Sequence, residues 1–403
     1  MDTSRRDDLR EHIEQFVRLV ESQFPPLDGV FSRGLIADVE HWSSDYLYHV
    51  VSQLSALSLG ITDEDRLPIF GHWFDTRLAM KLNPTRSAGE YGTPEPLALL
   101  MIALANLHGA NEVLDPCCGI GTLLSHAAAE ARQVRNHVEL FGQEINVKSW
   151  ALATLRLFLL GHSTSHLALG DTLRKPAFSV NDKLKKFDRV LCDTPLGLQL
   201  HGAEASYALW WDTWDRNSSR ISGESAFLRF VISSLKEEGR AIVAVSQSLL
   251  FRSGDEARLR ERLLSMNFLR AVVGLPGKLR HGSSIETALL VLERIHSGKV
   301  LFVNATNLRN ESRTYALSSS DIEHLYNLID LDKEEKGISK LISYSSLRGH
   351  NASFVPKHYV SLPDPHRESP DALRSKLKEL ESEHEDVVRQ MNQLLDIMQK
   401  KAD

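Results

Sequence analysis

The chain has 403 residues, of which 42% are hydrophobic and 25% are charged. This length predicts roughly two or three domains, and the composition excludes a wholly disordered or a collagen-like chain. The 47 Lys and Arg residues against 53 Asp and Glu residues give a net charge of −6. Such a balance disfavours a strongly basic nucleic-acid binder that acts alone, although one face of the protein can still be basic.

Cysteine usage and the amino-terminal sequence indicate the cellular compartment. Cys117, Cys118 and Cys192 are too few for a disulfide framework in a chain of this length, which favours a reducing, cytoplasmic setting. The chain begins without the apolar core of a signal peptide, and no apolar run reaches the roughly 18 residues of a membrane span. We therefore expect a protein that is neither secreted nor embedded in a membrane. No CxxC pair accompanies the cysteines, so no metal site is expected.

Two helices are predicted before the first strand. The first has apolar residues spaced four, three and four positions apart, namely Leu9, Ile13, Phe16 and Val20. This pattern predicts an amphipathic helix, and short helical runs continue the region to about residue 82. The second helix is predicted to have Thr93 as its N-cap and Pro94 as its first residue, and to end at Gly109.

Short apolar runs then alternate with helical patterns such as Trp150–Leu160 and Ala226–Leu235. This alternation predicts an α/β fold with a parallel or mixed, doubly wound sheet, and such sheets bind ligands at the carboxyl ends of their strands. The predicted strands are Val113–Asp115, Val138–Ile145, Leu167–Asp171, Phe187–Asp193, Ala241–Ser246, Ala271–Leu275, Ala288–Leu292 and Lys299–Asn304.

The carboxyl-terminal segment shows a heptad pattern. It opens with Ser369 as N-cap and Pro370 as first helical residue, and it predicts a coiled-coil helix. A long helix that packs on its own domain is the alternative, and a helix that binds a partner is the sharper hypothesis. The pattern consists of Leu373, Leu377, Leu380, His384, Val387, Met391, Leu394 and Met398.

Acidic residues close the first four predicted strands. Asp115 precedes a turn with two glycines, which lets the backbone come close to a ligand. Glu144 could accept hydrogen bonds from both ribose hydroxyls of a nucleoside cofactor, and Asp171 could accept one from an adenine amino group. Asp193 closes the fourth strand. A single carboxylate at a strand end is commonly a turn or cap residue, but four in succession indicate a ligand site.

Across Leu67 to Val360, the sequence resembles the adenine-specific N6 DNA methyltransferases, and within them the modification subunit of type I restriction-modification systems. The order of the motifs, with the cofactor half before the catalytic half, also agrees. The segments that carry the resemblance are Gly89–Pro94, Asp115–Gly121, Phe141–Asn146, Trp150–Ala153, Glu224–Leu228, Glu238–Val243, Gly274–Pro276, Gly282–Ile285 and Leu347–Val360.

The resemblance implies a Rossmann-like methyltransferase sheet that binds S-adenosylmethionine. It suggests an N-terminal helical region at 1–82, a methyltransferase domain at 83–310, a connecting segment at 311–366 and the coiled-coil helix at 367–403. The cofactor-binding residues that it implies are Tyr91, Thr93, Pro94, Asp115, Pro116, Cys117, Gly119, Gly121, Glu144, Ile145, Asp171 and Thr172.

The catalytic segment departs from the family pattern. The family has Asn or Asp, two prolines and an aromatic residue, whereas this chain has Asp193, Thr194, Pro195 and Leu196. In the reaction that the resemblance implies, the Asp193 carboxylate and the Thr194 carbonyl accept hydrogen bonds from the two N–H groups of the amino group of a flipped adenine. Leu196 replaces the aromatic residue that would stack on the base. We hypothesise that one of four later aromatic residues restores stacking: Tyr207, Trp210, Trp211 or Trp214.

The resemblance thus predicts N6-adenine methylation of double-stranded DNA within a hetero-oligomer. The net charge predicts weak DNA binding by this chain alone, because affinity depends on the number of phosphates neutralised. A specificity subunit, held by the C-terminal helix, is the expected partner. Two alternatives stay open: a catalytically weak or silent scaffold or DNA-sensing subunit of a defence complex, and a methyltransferase acting on RNA or protein.

Overall fold

The structure of the protein is a computed structural model. It describes residues 4–36, 41–55, 71, 73–76, 78, 92–162, 165–181, 183–201, 220–277, 286–294, 298–306, 308, 317–349, 352–360, 377, 380 and 384. The chain divides into two compact units, residues 1–360 and 361–403.

The described part of the first unit gives the bounds of nine α-helices, and residues 71, 73–76 and 78 are helical as well. The nine helices are α1 (Ser4–Gln23), α2 (Ser44–Ser55), α3 (Glu95–Ala105), α4 (Thr122–Gln133), α5 (Val147–Leu159), α6 (Gly223–Ser233), α7 (Asp255–Ser265), α8 (Ser319–Asp330) and α9 (Tyr344–Gly349). Short 3₁₀ helices occur at Pro25–Leu27, Gln247–Leu250 and Pro356–His358, and a π-helix at Val30–Leu35. None of the described helices is both long and apolar enough to span a membrane.

Among the described residues, nine strands form one central sheet, and four short strands form two hairpins. The sheet strands are β1 (Glu112–Asp115), β2 (Glu139–Glu144), β3 (His166–Leu169), β6 (Phe187–Asp193), β9 (Leu235–Ser246), β10 (Leu269–Gly274), β11 (Thr287–Leu292), β12 (Lys299–Asn304) and β13 (Ser339–Ser343). The hairpins pair β4 (Ser179–Val180) with β5 (Lys183–Leu184), and β7 (Gln199–His201) with β8 (Arg220–Ser222).

The sheet order is β13-β12-β10-β11-β9-β6-β1-β2-β3. Strands β3, β2, β1, β6 and β9 run parallel as direct neighbours. Strand β11 runs antiparallel between β9 and β10, and β13 runs antiparallel to β12. Because all six residues of β11 are buried, an uninterrupted apolar run is the expected sequence for it. The prediction of a mixed, doubly wound sheet is confirmed.

Apolar side chains alternate between the two faces of this sheet and build a core on each. Leu191 and Ile242 contribute to one core, whereas Cys192 and Val243 contribute to the other. Helices α3, α4 and α8 cover the first face, and α6 and α7 cover the second. Period-two alternation within single strands therefore places helices on both faces.

The eight strands predicted from sequence are all present. Strands β6 and β12 have the predicted bounds, and the largest difference is in β9, which begins at Leu235 instead of Ala241. Strand β13 lies inside the segment 311–366 that the sequence predicts to be connecting. Its sequence, SKLIS, has two adjacent apolar residues between polar ones and therefore lacks the alternation that identifies a half-buried strand. The sequence pattern therefore does not predict that this segment forms the edge strand of the sheet.

The predicted limits of α3 are wrong. The helix begins at Glu95 with Pro94 as its N-cap, because the Thr93 hydroxyl is engaged with Asp193 instead of the helix end. It ends at Ala105, before Gly109 is reached, and its C-cap Asn106 has a left-handed φ of +47°. Asparagine can take this conformation and end a helix as glycine does.

The π-helix and the 3₁₀ helix before it pack on α5, and α1 packs on the π-helix. In α1 the predicted apolar face is partly wrong, because Phe16 is 65% exposed and Val17 is buried. The Glu21 carboxylate accepts hydrogen bonds from two backbone amides at the start of the π-helix, which fixes α1 to it. A Cβ on Gly34 would lie 2.3 Å from the Ala151 Cβ, so the π-helix fits against α5 without room for a side chain.

The second unit is described at three positions. Leu377, Leu380 and His384 are helical and exposed, in the segment where the coiled-coil helix 367–403 is predicted. The rest of that predicted seam lies outside the described residues, and the coiled coil stays a prediction.

Candidate active site

The four acidic strand ends predicted from sequence lie along one edge of the sheet. Strands β6, β1, β2 and β3 are parallel neighbours, so their carboxyl ends share that edge. Burial raises the pKa of Asp115 well above its ordinary value, and the negative charges of Asp193 and Glu144 raise it further. The acidic side chains of three strands are therefore close enough to interact, and the site favours a cationic ligand.

The turn after β1 is held by backbone amides. Asp115 is 1% exposed, and its Oδ1 accepts a hydrogen bond from the Cys117 amide at 3.1 Å. The Cys118 amide donates to the Gln143 carbonyl at 3.0 Å, and the Gly119 amide donates to Glu144 Oε2 at 2.9 Å. The ends of β1 and β2 thus form one connected structure.

The two glycines of the turn have different roles. Gly119 has φ +53°, and a Cβ built on it would meet no atom of the described residues within 4 Å, so the backbone here borders open space among them. Gly121 has φ +76°, and its Cβ would lie 3.1 Å from the Ala153 Cβ of α5. The first glycine leaves room for a ligand, and the second lets α4 begin close to α5.

The end of β2 offers a carboxylate beside an apolar surface. Glu144 Oε1 accepts a hydrogen bond from the Asn146 amide at 2.7 Å, which fixes the carboxylate orientation. The neighbouring Ile145 side chain is 68% exposed. Exposed isoleucine next to a fixed carboxylate suits a nucleoside, because the isoleucine can cover the face of a base while the carboxylate accepts from the ribose.

After β3, Asp171 Oδ1 accepts hydrogen bonds from the amides of Leu173 at 2.9 Å and Arg174 at 3.3 Å, which makes a local turn. The buried Thr172 hydroxyl donates to the Pro116 carbonyl at 2.6 Å. Thr172 therefore supports the turn after β1 from the side of β3.

Asp193 is held from two directions at the end of β6. The Thr93 hydroxyl donates to Asp193 Oδ2 at 3.0 Å, across one hundred residues of sequence. The Cys117 thiol donates to the Asp193 carbonyl oxygen at 3.4 Å, which links the turn after β1 to the predicted catalytic segment. The sequence could not reveal either contact, since both depend on the pairing of β1 with β6 and on the approach of the segment before α3.

The residues after Asp193 differ in exposure. Thr194 is 1% exposed, and its amide and hydroxyl both donate to the Ala244 carbonyl of β9. Pro195 is exposed and Leu196 is half-buried. Tyr91 and the four candidate stacking aromatic residues, Tyr207, Trp210, Trp211 and Trp214, lie outside the described residues.

All three cysteines are free thiols. The Cys117 and Cys192 sulfur atoms are 3.6 Å apart, and the hydrogen bond between them, together with burial, raises the pKa of Cys117 well above its ordinary value. These thiols are therefore protonated packing groups rather than thiolate nucleophiles. Across the described part of the chain, no group of three or more His, Cys, Asp or Glu residues could hold a metal ion.

Glu224 is a site-edge residue to which sequence analysis assigned no role. It is 7% exposed, and its carboxylate accepts hydrogen bonds from the Ser246 amide at 2.5 Å and the Ser246 hydroxyl at 3.0 Å. Ser246 ends β9, the strand that pairs with Asp193. The segment Glu224–Leu228 is one of those that carry the family resemblance, and this was the sequence signal that could have pointed to Glu224.

This sheet, with an acidic edge around a glycine turn, has the fold of S-adenosylmethionine-dependent methyltransferases. A structure from Listeria monocytogenes described as a putative class I methyltransferase of this kind superimposes with a TM-score of 0.55 at 14% identity, covering 81% of this chain and all of that one (100%). The chain belongs to the N-6 DNA methylase family, whose family model matches residues 67–368.

The relatives agree with this assignment. The chain is 23% identical to the type I restriction enzyme MpnII methylase subunit of Mycoplasma pneumoniae, over 96% of this chain and 77% of that protein. It is 24% identical to the MjaVIII methylase subunit of Methanocaldococcus jannaschii, over 88% of this chain and 64% of that protein. The methyltransferase subunit of a type I system from Streptococcus thermophilus has a TM-score of 0.69 at 23% identity, covering 79% of this chain and 68% of that one.

Family membership confirms the expected class of enzyme. The protein is a methyltransferase of the type that modifies adenine N6 in DNA with S-adenosylmethionine, and neither the silent-scaffold nor the RNA or protein alternative is favoured.

Proposed function

We propose that this chain transfers the methyl group of S-adenosylmethionine to adenine N6 in DNA as the modification subunit of a type I-like complex. The observation that carries the proposal is the contact between the turn after β1 and the segment after β6, where the Cys117 thiol meets the Asp193 carbonyl. A cofactor on the first and a base on the second would lie side by side.

The turn after β1 fits the cofactor. Open space beside Gly119 admits a ligand next to the backbone, and exposed Ile145 and fixed Glu144 suit an adenosine moiety. Buried Asp115 and the nearby acidic groups suit the positive charges on the methionine part. When bound, S-adenosylmethionine supplies an activated methyl group on its sulfonium sulfur.

Asp193 and Thr194 act on the base. The amino nitrogen of adenine has its lone pair delocalised into the ring. A carboxylate oxygen of Asp193 and the carbonyl oxygen of Thr194 would each accept one hydrogen bond from the amino group. These two bonds would direct the nitrogen lone pair out of the ring plane and towards the methyl group. The Thr93 hydroxyl on Oδ2 fixes the orientation of the Asp193 carboxylate.

Leu196 limits the rate but does not remove these acceptors. It packs against a base less well than an aromatic ring, and base stacking contributes roughly 1–3 kcal/mol. The loss corresponds to about tenfold to a hundredfold in rate if nothing replaces the ring. One of the aromatic residues at 207–214 could replace it.

A specificity subunit would supply the sequence recognition. Two facts support this: the net charge of −6 leaves little attraction for phosphates, and Leu377 and Leu380 present apolar surface on a helix. The three free thiols agree with a reducing, cytoplasmic location.

The test is transfer of a tritiated methyl group to duplex DNA, with and without the products of neighbouring genes. We expect Asp193→Ala to lower transfer on the order of 10²- to 10³-fold while cofactor binding persists, since a preorganised acceptor is lost. Asp193→Asn keeps one acceptor oxygen and should retain part of the activity. Asp332→Ala, which removes a half-exposed carboxylate paired with Arg270, is the matched control. No transfer by the wild type in any combination, despite cofactor binding, would support a silent subunit.

A further inference from the structure

We propose that the Thr194 side chain is a positioning group that holds the Thr194 carbonyl in place by hydrogen bonding to Ala244, and so substitutes for the proline ring found here in the family pattern. This inference rests on the proposed function, which gives that carbonyl its role as the second acceptor. The Thr194 side chain holds the residue, whereas the backbone carbonyl takes part in the reaction.

Two donors of Thr194 converge on one acceptor. The hydroxyl Oγ1 lies 2.7 Å from the Ala244 carbonyl oxygen, and the backbone nitrogen lies 3.3 Å from the same atom. Thr194 is 1% exposed and Ala244 is fully buried, so water does not compete for these bonds. The backbone amide and the side-chain hydroxyl of Thr194 therefore both bind the residue to β9.

These bonds limit the torsion that proline would limit. A proline ring fixes φ at about −65° and removes the amide hydrogen. Threonine has a free φ, but the amide fixes the preceding peptide plane and the hydroxyl fixes the side-chain rotamer relative to it. Pro195 then restricts ψ of Thr194 to the extended region, because the proline Cδ clashes with other conformations. With both torsions limited, the direction of the Thr194 carbonyl is set.

The acceptor itself is rigid. Ala244 lies within β9, where it pairs with Asp193 on one side and Leu289 on the other. Two residues further on, β9 ends at Ser246. The amide and the hydroxyl of Ser246 both donate hydrogen bonds to the Glu224 carboxylate. The strand end cannot shift without breaking bonds to a buried carboxylate. Displacement of the Thr194 carbonyl is therefore resisted by β6, β9, β11 and α6 together.

The experiment compares two substitutions of Thr194. Thr194→Val keeps the shape and removes the hydroxyl, whereas Thr194→Ser keeps the hydroxyl. Methyl transfer to duplex DNA is measured with the full chain and its partner subunits at saturating cofactor and DNA. We expect Thr194→Val to lower kcat about tenfold, the effect of losing one buried hydrogen bond. We expect Thr194→Ser to stay within about twofold of the wild type, and the Kd of S-adenosylmethionine to be unchanged in both.

The matched control is Thr154→Val. The Thr154 hydroxyl donates to the Trp150 carbonyl at 2.8 Å within α5, so the same chemical change is made away from the predicted catalytic segment. This variant should keep the wild-type kcat. Equal kcat values for Thr194→Val and the wild type would overturn the proposal. A parallel fall in kcat for Thr194→Ser would also overturn it, since the hydroxyl would then not be the active feature.

A second measurement separates this proposal from the proposed function. Hydrogen–deuterium exchange of the peptide covering Asp193 to Leu196 does not depend on turnover. We expect exchange in this peptide to be faster in Thr194→Val than in the wild type. In Thr154→Val the exchange rate of the peptide should be the same as in the wild type. Unchanged exchange would overturn the positioning role even for an active enzyme. Absence of methyl transfer by the wild type would defeat the proposed function, and exchange would still decide whether the hydroxyl holds the segment.

Discussion

The two halves of the acidic sheet edge are built by different kinds of contact. At the half proposed for the cofactor, formed by the ends of β1 and β2, backbone amides of the turns after these two strands donate to the carboxylates of Asp115 and Glu144. At the half proposed for catalysis, formed by the ends of β6 and β9, two side-chain hydroxyls make the contacts. The Thr93 hydroxyl, from a distant segment, donates to Asp193, and the Thr194 hydroxyl donates to the carbonyl of Ala244, fifty residues away.

Because of this difference, we expect substitutions in one half to change cofactor affinity and substitutions in the other half to change the rate of methyl transfer. The turn after β1 is fixed by several separate hydrogen bonds, so the loss of one acceptor there should alter cofactor affinity and leave the rate at saturating cofactor unchanged. A segment held by single hydroxyls depends on each of them, so substitutions there should alter the rate of methyl transfer at constant affinity. The cofactor half agrees with the family motifs, and the catalytic half is where the sequence departs from them.

The largest effect on cofactor affinity is expected at Glu144. Glu144→Ala removes the acceptor of the Gly119 and Asn146 amides as well as the proposed ribose ligand. Hydrogen bonds to a charged group contribute about 1.5–3 kcal/mol, so the Kd of S-adenosylmethionine should rise about a hundredfold. Titration calorimetry measures it, with Glu139→Ala, an exposed carboxylate at the other end of β2, as control. If kcat at saturating cofactor fell as far as affinity, the separation of the two halves would be wrong.

A smaller effect is expected at Leu196. Leu196→Phe restores the aromatic residue of the family pattern, and stacking on a flipped base should raise kcat/KM for DNA about tenfold. Cofactor affinity should stay the same, because the residue follows β6. The measurement is methyl transfer under single-turnover conditions, with Leu198→Phe, a partly exposed leucine two positions on, as control. An unchanged rate would indicate that another aromatic residue already stacks on the base.

The smallest effect is expected on stability, at Asp115. Its pKa is raised by burial and by Asp193 and Glu144, so the folded state binds this proton more tightly than the unfolded state does. The associated stability is present at low pH and is lost as pH rises through the raised pKa. Asp115→Asn carries no charge, so at about pH 8 its Tm should exceed that of the wild type by a few degrees.

The difference should shrink as pH falls towards the ordinary Asp pKa of about 4. Thermal unfolding across this range measures it, alongside weaker binding of S-adenosylmethionine by the variant. A variant that is less stable than the wild type at alkaline pH would show that the charge of Asp115 is already compensated.

Sequence periodicity predicted the sheet well because its central strands are buried and strongly apolar. Strand β12 has the predicted bounds, and β6 does as well. Strand β13 was missed because a short edge strand has one weakly apolar face. The exposure of Phe16 was missed because the pattern gives a helical face but not which neighbour covers it.

The candidate site was predictable to the level of strand ends. Parallel strands bring their carboxyl ends to one edge, so Asp115, Glu144 and Asp193 could be grouped without coordinates. Contacts made by hydroxyl groups could not be predicted, since the partner of Thr194 lies fifty residues away and its identity depends on strand register. Thr93 shows the same limit: its sequence suits a helix cap, and tertiary structure uses it for Asp193 instead.

The buried antiparallel strand β11 also has a consequence for biosynthesis. Strands β1, β2, β3 and β6 are neighbours in the sheet and consecutive among its strands along the chain, so they can pair once Asp193 has left the ribosome. Strand β9 can then join β6, but its other edge stays open until β11 is made. At about 5–20 residues per second, that interval lasts roughly several seconds. During it, the nascent chain presents an apolar strand edge to chaperones and to other chains.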